Sequence, residues 1–192
     1  MLAGMFDYPV RMLPGAVLGA LLFCCLLPLR QRRLLRAGLH SPFPREILML
    51  LFFIFCGGMA LITLTPRWFH WLTFLDIMKS EPFFQIGTFN LVPFRTFSFN
   101  TWSFIILVGN VIMFLPIGFF YVLLWRSRSW KPILLLGLLT TLCIEVFQLF
   151  IGRAFDIDDI LLNTVGVVLG GLFCRYLRRM APELYSLQVQ NT

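Results

Sequence analysis

The sequence predicts an all-α, polytopic integral membrane bundle of about five transmembrane helices. Three observations predict it. Of 192 residues, 59% are hydrophobic, 13% are charged and 22 are Phe, a balance that leaves too little polar surface to wet a soluble globule. Apolar runs recur at close to the roughly 20 residues needed to cross a bilayer. Lys and Arg gather between alternate runs, as expected for a chain threaded back and forth.

The first run, 12–29, has Pro14 and Gly15 near its start and ends in "PLRQRR". No small-residue cleavage site follows, so it reads as a retained anchor rather than a secretory signal. The second is 47–66. The third, 103–125, carries Pro116, which removes one helical hydrogen bond and predicts a kink, and Gly118, which permits a close neighbour. The fourth and fifth are 133–151 and 160–177. One long connection, 67–102, joins the second and third spans. Its second half, "EPFFQIGTFNLVPFRTFSF", is too aromatic for water and is expected in the membrane interface or folded back onto the bundle. Trp68, Trp71, Trp102, Trp125 and Trp130 fall at span edges, where aromatic rings anchor at headgroup depth. The layout is one polytopic domain in two parts: residues 1–66, two helices joined by a basic loop, and residues 67–192.

Orientation follows the cations. Arg30, Arg32, Arg33, Arg36 and Arg45 follow the first span, Arg126, Arg128 and Lys131 separate the third and fourth, and Arg175, Arg178 and Arg179 close the fifth. These are 11 of the 16 basic residues, which places the N-terminus outside and the C-terminus in the cytoplasm. Asp7, Asp76, Glu81, Glu145, Asp156, Asp158 and Asp159 then lie toward the outer side. The +7 net charge needs no nucleic acid, because the basic loops suit anionic lipid headgroups. Cys24, Cys25, Cys56, Cys143 and Cys174 lie in apolar runs without metal-type spacing and read as small core residues. His40 and His70 read as loop histidines.

The stretch "IEVFQLFIGRAFDIDDILLNTVG", 144–166, sets Glu145, Gln148, Arg153, Asp156, Asp158, Asp159 and Asn163 in very apolar surroundings. Glu145 lies about 9 Å, and Asn110 about 12 Å, below the outer helix ends, so the two are at similar depth. Glu145 and Gln148 share a helix face; Asp156, Asp159 and Asn163 follow an i, i+3, i+7 stripe. A single polar pocket open to the outside accommodates them. An acidic side chain in a spanning helix costs roughly 2.5 to 3.5 kcal/mol, so Glu145 is expected to face the bundle, neutral or paired with Arg153 or Arg95. An internal salt-bridge and hydrogen-bond network fastening the helices is the alternative reading of the same residues. Asp156 and Asp159 are the only metal-ligand candidates, and an acidic run at a helix N-terminus is equally explained by the helix dipole. No metal and no cofactor is expected.

Three stretches, "NLVPF" at 90–94, "NVIMFLPIGF" at 110–119 and "EVFQLFIGRAFDIDDILLNTVGVVLG" at 145–170, together resemble the VanZ-like membrane proteins, a family named for a teicoplanin resistance protein. The resemblance covers about 85–172; residues 1–66 carry no motif of their own. It sets Asn90, Pro93, Asn110, Pro116, Gly118, Glu145, Gln148, Arg153, Asp156, Asp159, Asn163 and Gly166 at the family's signature positions. It implies a multi-pass protein of the bacterial cytoplasmic membrane, linked to glycopeptide susceptibility by an unknown mechanism and without established catalysis.

Two functions fit these residues. The first is a non-enzymatic protein that binds an amphiphile, such as a lipoglycopeptide or a lipid-linked cell-wall precursor, through Asn90, Arg95, Asn110, Glu145, Gln148, Arg153, Asp156, Asp159 and Asn163. The second is an intramembrane enzyme acting on a lipid-linked phosphate or sugar, with Asp156 and Asp159 holding a cation and Glu145 as acid or base. No nucleophile with an adjacent base and no Gly-rich phosphate loop supports the second, so binding is favoured and catalysis stays open. Membrane lipids are the expected surroundings, and the oligomeric state is not set by the sequence.

Overall fold

Local chemistry marks some of the helix starts: a proline opens the helices Phe43–Thr63 and Lys131–Phe150, and a side-chain cap opens Ile157–Met180. The computed structural model describes residues 2–65, 84–94, 101–125, 129–187 and 190–191. Trp68, His70, Trp71, Asp76, Glu81, Arg95, Arg126 and Arg128 lie outside these described residues. The helices are α1 (Leu2–Arg36), α2 (Phe43–Thr63), α3 (Thr101–Leu124), α4 (Lys131–Phe150) and α5 (Ile157–Met180). All five are long and apolar enough to cross a membrane, and the protein is a multi-pass membrane protein. Four two-residue strands accompany them: β1 (Leu39–His40), β2 (Phe89–Asn90), β3 (Phe155–Asp156) and β4 (Gln190–Asn191). β1 pairs antiparallel with β4, and β2 pairs parallel with β3.

Four helices agree with the sequence spans to within about four residues. The first does not: α1 begins ten residues before the expected start and continues to Arg36. Pro14 sits inside it without ending it, because neighbouring membrane helices tolerate a freed carbonyl. The Arg, Gln and Leu residues after the apolar run are good helix formers and carry the helix beyond the span. α2 starts at Phe43, with a proline in its first turn where the missing N–H is harmless. α5 starts three residues early because Asp156 caps it, its side chain accepting from the Asp158 amide at 2.9 Å.

Small residues set the helix pairs. α3 packs most extensively on α5, running parallel to it, and α1 packs antiparallel on α2. A Cβ at Gly118 would sit 1.7 Å from the Val167 carbonyl oxygen, and one at Gly170 would sit 1.9 Å from that of Leu115. Backbones therefore meet directly across α3 and α5, as the sequence expected for Gly118. Gly15 and Gly57 do the same for α1 and α2. Phe114, Ile117, Val122, Ile133, Val167 and Cys174 fill the space enclosed by α3, α4 and α5. Leu135, Val165, Leu172 and similar residues face outward, the surface a bilayer covers.

The two ends of the bundle differ in chemistry. At one end Arg45 of α2 and Arg178 of α5 are both buried and donate to the carbonyls that end α3, Leu124 O at 3.1 Å and Leu123 O at 2.7 Å. Carbonyls in a last helical turn lack intrahelical partners and carry partial negative charge, so cations suit them. Arg30 pairs with Glu46, and Arg175 donates to Ser129 O, at this same basic end. Trp125 and Trp130 are exposed there, at span edges as expected.

Candidate functional site

The opposite end holds Glu145, Asp156, Asp158 and Asp159, and the turn between α4 and α5 organises them. Gly152 takes φ +75 in that turn, a backbone state glycine reaches without strain. Segment 84–94 lies along the turn as an extended strap. Gln85 N donates to Phe150 O at 2.9 Å, Gly87 N to Leu149 O at 2.7 Å, Gly152 N to Gln85 O at 2.8 Å and Phe155 N to Thr88 O at 2.8 Å. The aromatic loop therefore folds back onto the bundle over these residues. It does so as a parallel strand, which composition did not reveal. Gly87 is needed for the approach, since a Cβ there would meet the Arg153 carbonyl oxygen at 1.7 Å.

The carboxylates form a relay along the strap and the turn. Glu145 is 1% exposed and its Oε2 accepts from the Asp156 amide at 2.8 Å. Asp156 Oδ1 accepts from the Asp158 amide, and its Oδ2 accepts from Asn90 Nδ2 at 2.8 Å. Asp158 is fully buried and its Oδ1 accepts from the Phe94 amide at 2.7 Å. Asp159 Oδ1 accepts from Asn110 Nδ2 at 2.6 Å. Glu145 and Asp156 are thus held by amides at the N-terminus of α5, where the helix dipole favours negative charge, Asp158 by the strap and Asp159 by α3. Phe94 makes its contact at φ 65, the left-handed region that a bulky residue seldom occupies.

Arg153 reaches backbone carbonyls that the sequence did not suggest. Its Nη1 donates to Ile62 O at 3.2 Å and Thr63 O at 3.3 Å, and Gln148 Nε2 donates to Thr63 O at 3.0 Å. These are the closing carbonyls of α2, which have no intrahelical donors and attract a cation and an amide. Arg95, the other cation suggested for Glu145, lies outside the described residues.

Of the nine site candidates, Asn90, Asn110, Glu145, Asp156 and Asp159 come together in the carboxylate relay. Gln148 and Arg153 stand beside them, tying the turn to α2. Asn163 lies one turn along α5 from Asp159 on the same face. It is 5% exposed, and its Oδ1 has no donor among the described residues. Asp156 is a cap and a strand residue rather than a member of the helical stripe, so the stripe inside α5 is Asp159 and Asn163. Thr141 and Thr164 face each other at 3.3 Å nearby. Among the described residues, no three His, Cys, Asp or Glu side chains group as ligands for a metal ion.

Sequence reasoning brought Asp158 to this end without assigning it to the site, and missed Gly87, Phe94 and the α2 carbonyls. Asp158 was visible as the middle acid of "DIDD", but only the strap shows what it holds. The two clefts described lie between α1 and α2, and none of the site residues lines either.

Comparison with known proteins bears on this end of the molecule directly. No curated protein and no solved structure matches the chain. The VanZ/LLP1 family profile matches residues 47–178, from α2 almost to the end of α5. All the described site residues fall inside that match, so the chain belongs to the VanZ/LLP1 family.

Proposed function

We propose that the protein binds a donor-rich amphiphile of the bacterial envelope at the Asn110–Asp159–Asn163 face, and that this binding lowers susceptibility to a lipid-tailed glycopeptide such as teicoplanin. The observation that carries the reading is Asn163. A polar oxygen buried without a donor is costly in the free protein, and a hydroxyl, amide or ammonium group on a ligand would satisfy it. Acids outnumber cations among the described residues at this end: Glu145, Asp156, Asp158 and Asp159 stand against Arg11 and Arg153. A sugar or aminosugar headgroup has that donor-rich chemistry, and the lipid-facing helices suit its tail. The excess of Lys and Arg at the other end supports an outward orientation of this face in the cytoplasmic membrane. Lipid-linked cell-wall precursors and lipoglycopeptides are both met there.

The test is the teicoplanin and vancomycin susceptibility of a sensitive Gram-positive host that expresses the wild-type chain, Asn163→Leu or Glu145→Gln at matched membrane levels. Protection by wild type, lost in both variants, supports the reading. Equal protection by all three makes the polar end structural only. Protection that vanishes in Asp159→Asn and on chelation of divalent ions favours the competing function, an enzyme acting on a lipid-linked phosphate or sugar.

A further inference from the structure

A cleft lies at the basic end, apart from Glu145, Asp156, Asp158 and Asp159. The α1–α2 pair leaves a cleft of about 230 Å³ whose walls include Phe23, Leu26, Met49 and Phe53 and whose rim carries Arg30 and Arg33. Leu26, Arg30 and Arg33 fall on one face of α1 by their i, i+4 and i, i+3 spacing, so an apolar wall passes into a cationic rim within two turns. Arg30 spends one nitrogen, Nη2, on Ser41 Oγ at 3.1 Å and on Glu46. Its Nε and Nη1 have no acceptor among the described residues. Arg45 stands behind, giving Nη1 to Ser41 Oγ at 3.3 Å and Nη2 to Leu124 O at 3.1 Å, and its Nε also has no acceptor among the described residues. Arg33 is exposed at the mouth. Among the described residues, Glu46 is the carboxylate paired with this group of three arginines, through Arg30.

We propose that this cleft holds one anionic phospholipid, its phosphate accepting from Arg30 and Arg33 and one acyl chain lying along Phe23, Leu26 and Phe53. Charge decides the occupant. A second copy of the chain pairing through the same face would bring Arg30, Arg32, Arg33 and Arg36 against their own counterparts. A zwitterionic lipid would bring a cation as well as a phosphate to an excess of cations. An anionic lipid supplies the missing acceptors and fills the apolar wall at once.

The test is native mass spectrometry of the full chain, released from uncharged detergent that contains equimolar dioleoylphosphatidylglycerol and dioleoylphosphatidylcholine. Wild type is expected to retain one phosphatidylglycerol in preference, by about fivefold, the effect of a single cation near an anionic surface. Arg33→Gln removes the exposed rim charge, and Leu26→Trp fills the cleft without touching a charge; each is expected to abolish most of that preference. Arg33→Lys, which keeps the charge, is expected to retain part of it. Equal retention of the two lipids overturns the proposal. So does a preference unchanged in both Arg33→Gln and Leu26→Trp, which would place the lipid elsewhere. Displacement of the lipid by millimolar inorganic phosphate also overturns it, because the acyl contacts would then contribute nothing.

Discussion

Asn110 of α3 donates to Asp159 of α5 at 2.6 Å, joining at its acidic end the helix pair whose glycine faces meet further along. The pair is half-buried, so its loss leaves an acceptor without a donor where little water reaches. Asn110→Leu is expected to destabilise the bundle by about 1–3 kcal/mol. A double-mutant cycle with Asp159→Asn, read as thermal midpoints in detergent, is expected to return a coupling of roughly 0.6–1.7 kcal/mol, the range of interhelical hydrogen bonds in membrane bundles.

Glycine substitutions separate close packing from helix propensity. Gly118→Ala drives a methyl into the Val167 carbonyl and is expected to cost about 1–3 kcal/mol, with Gly170→Ala similar. Gly109→Ala meets nothing within 4 Å and is expected to be neutral or to stabilise by up to about 1 kcal/mol. Thermal midpoints of the three variants check the order.

The sequence makes much of this legible, and the limits are physical. Hydropathy locates every span because the bilayer imposes one length. It misses the start of α1 because a proline does not stop a helix whose neighbours shield the gap. Glu145 and Asn110 are correctly brought to one end by depth counting, since 1.5 Å per residue holds in any helix. The partners of Glu145 and Arg153 are not legible. Both bind backbone groups, the Asp156 amide and the α2 carbonyls, and a backbone group has no signature in a sequence. The parallel pairing of 84–94 is hidden for the same reason.

The strap is expected to be the slowest-exchanging non-helical segment. Amides of Gln85, Gly87 and Phe94 all donate within the chain and should exchange slowly. Asp158→Ala removes the acceptor of the Phe94 amide and is expected to raise exchange at Phe94 while leaving α3 and α4 protected. Uniform exchange across all three elements would show that the contact is global rather than local.

At the basic end, Arg178→Met removes a buried cation from the closing carbonyl of α3. The charged hydrogen bond to Leu123 O is expected to account for about 1.5–3 kcal/mol of stability. Arg178→Lys, a shorter donor with a point charge, is expected to recover only part of it. Protein recovered from membranes and its thermal midpoint report the difference.

Asn163 carries the central claim, and the most direct measurement is equilibrium binding of teicoplanin to the purified chain in nanodiscs, wild type against Asn163→Leu. If the buried oxygen serves a ligand, Asn163→Leu binds at least about tenfold more weakly, a loss of roughly 1.4 kcal/mol. Its thermal midpoint stays equal to wild type or rises, because an apolar side chain of similar size no longer strands a polar group. Unchanged affinity, or a loss of binding that only follows a fall in stability, would contradict the account.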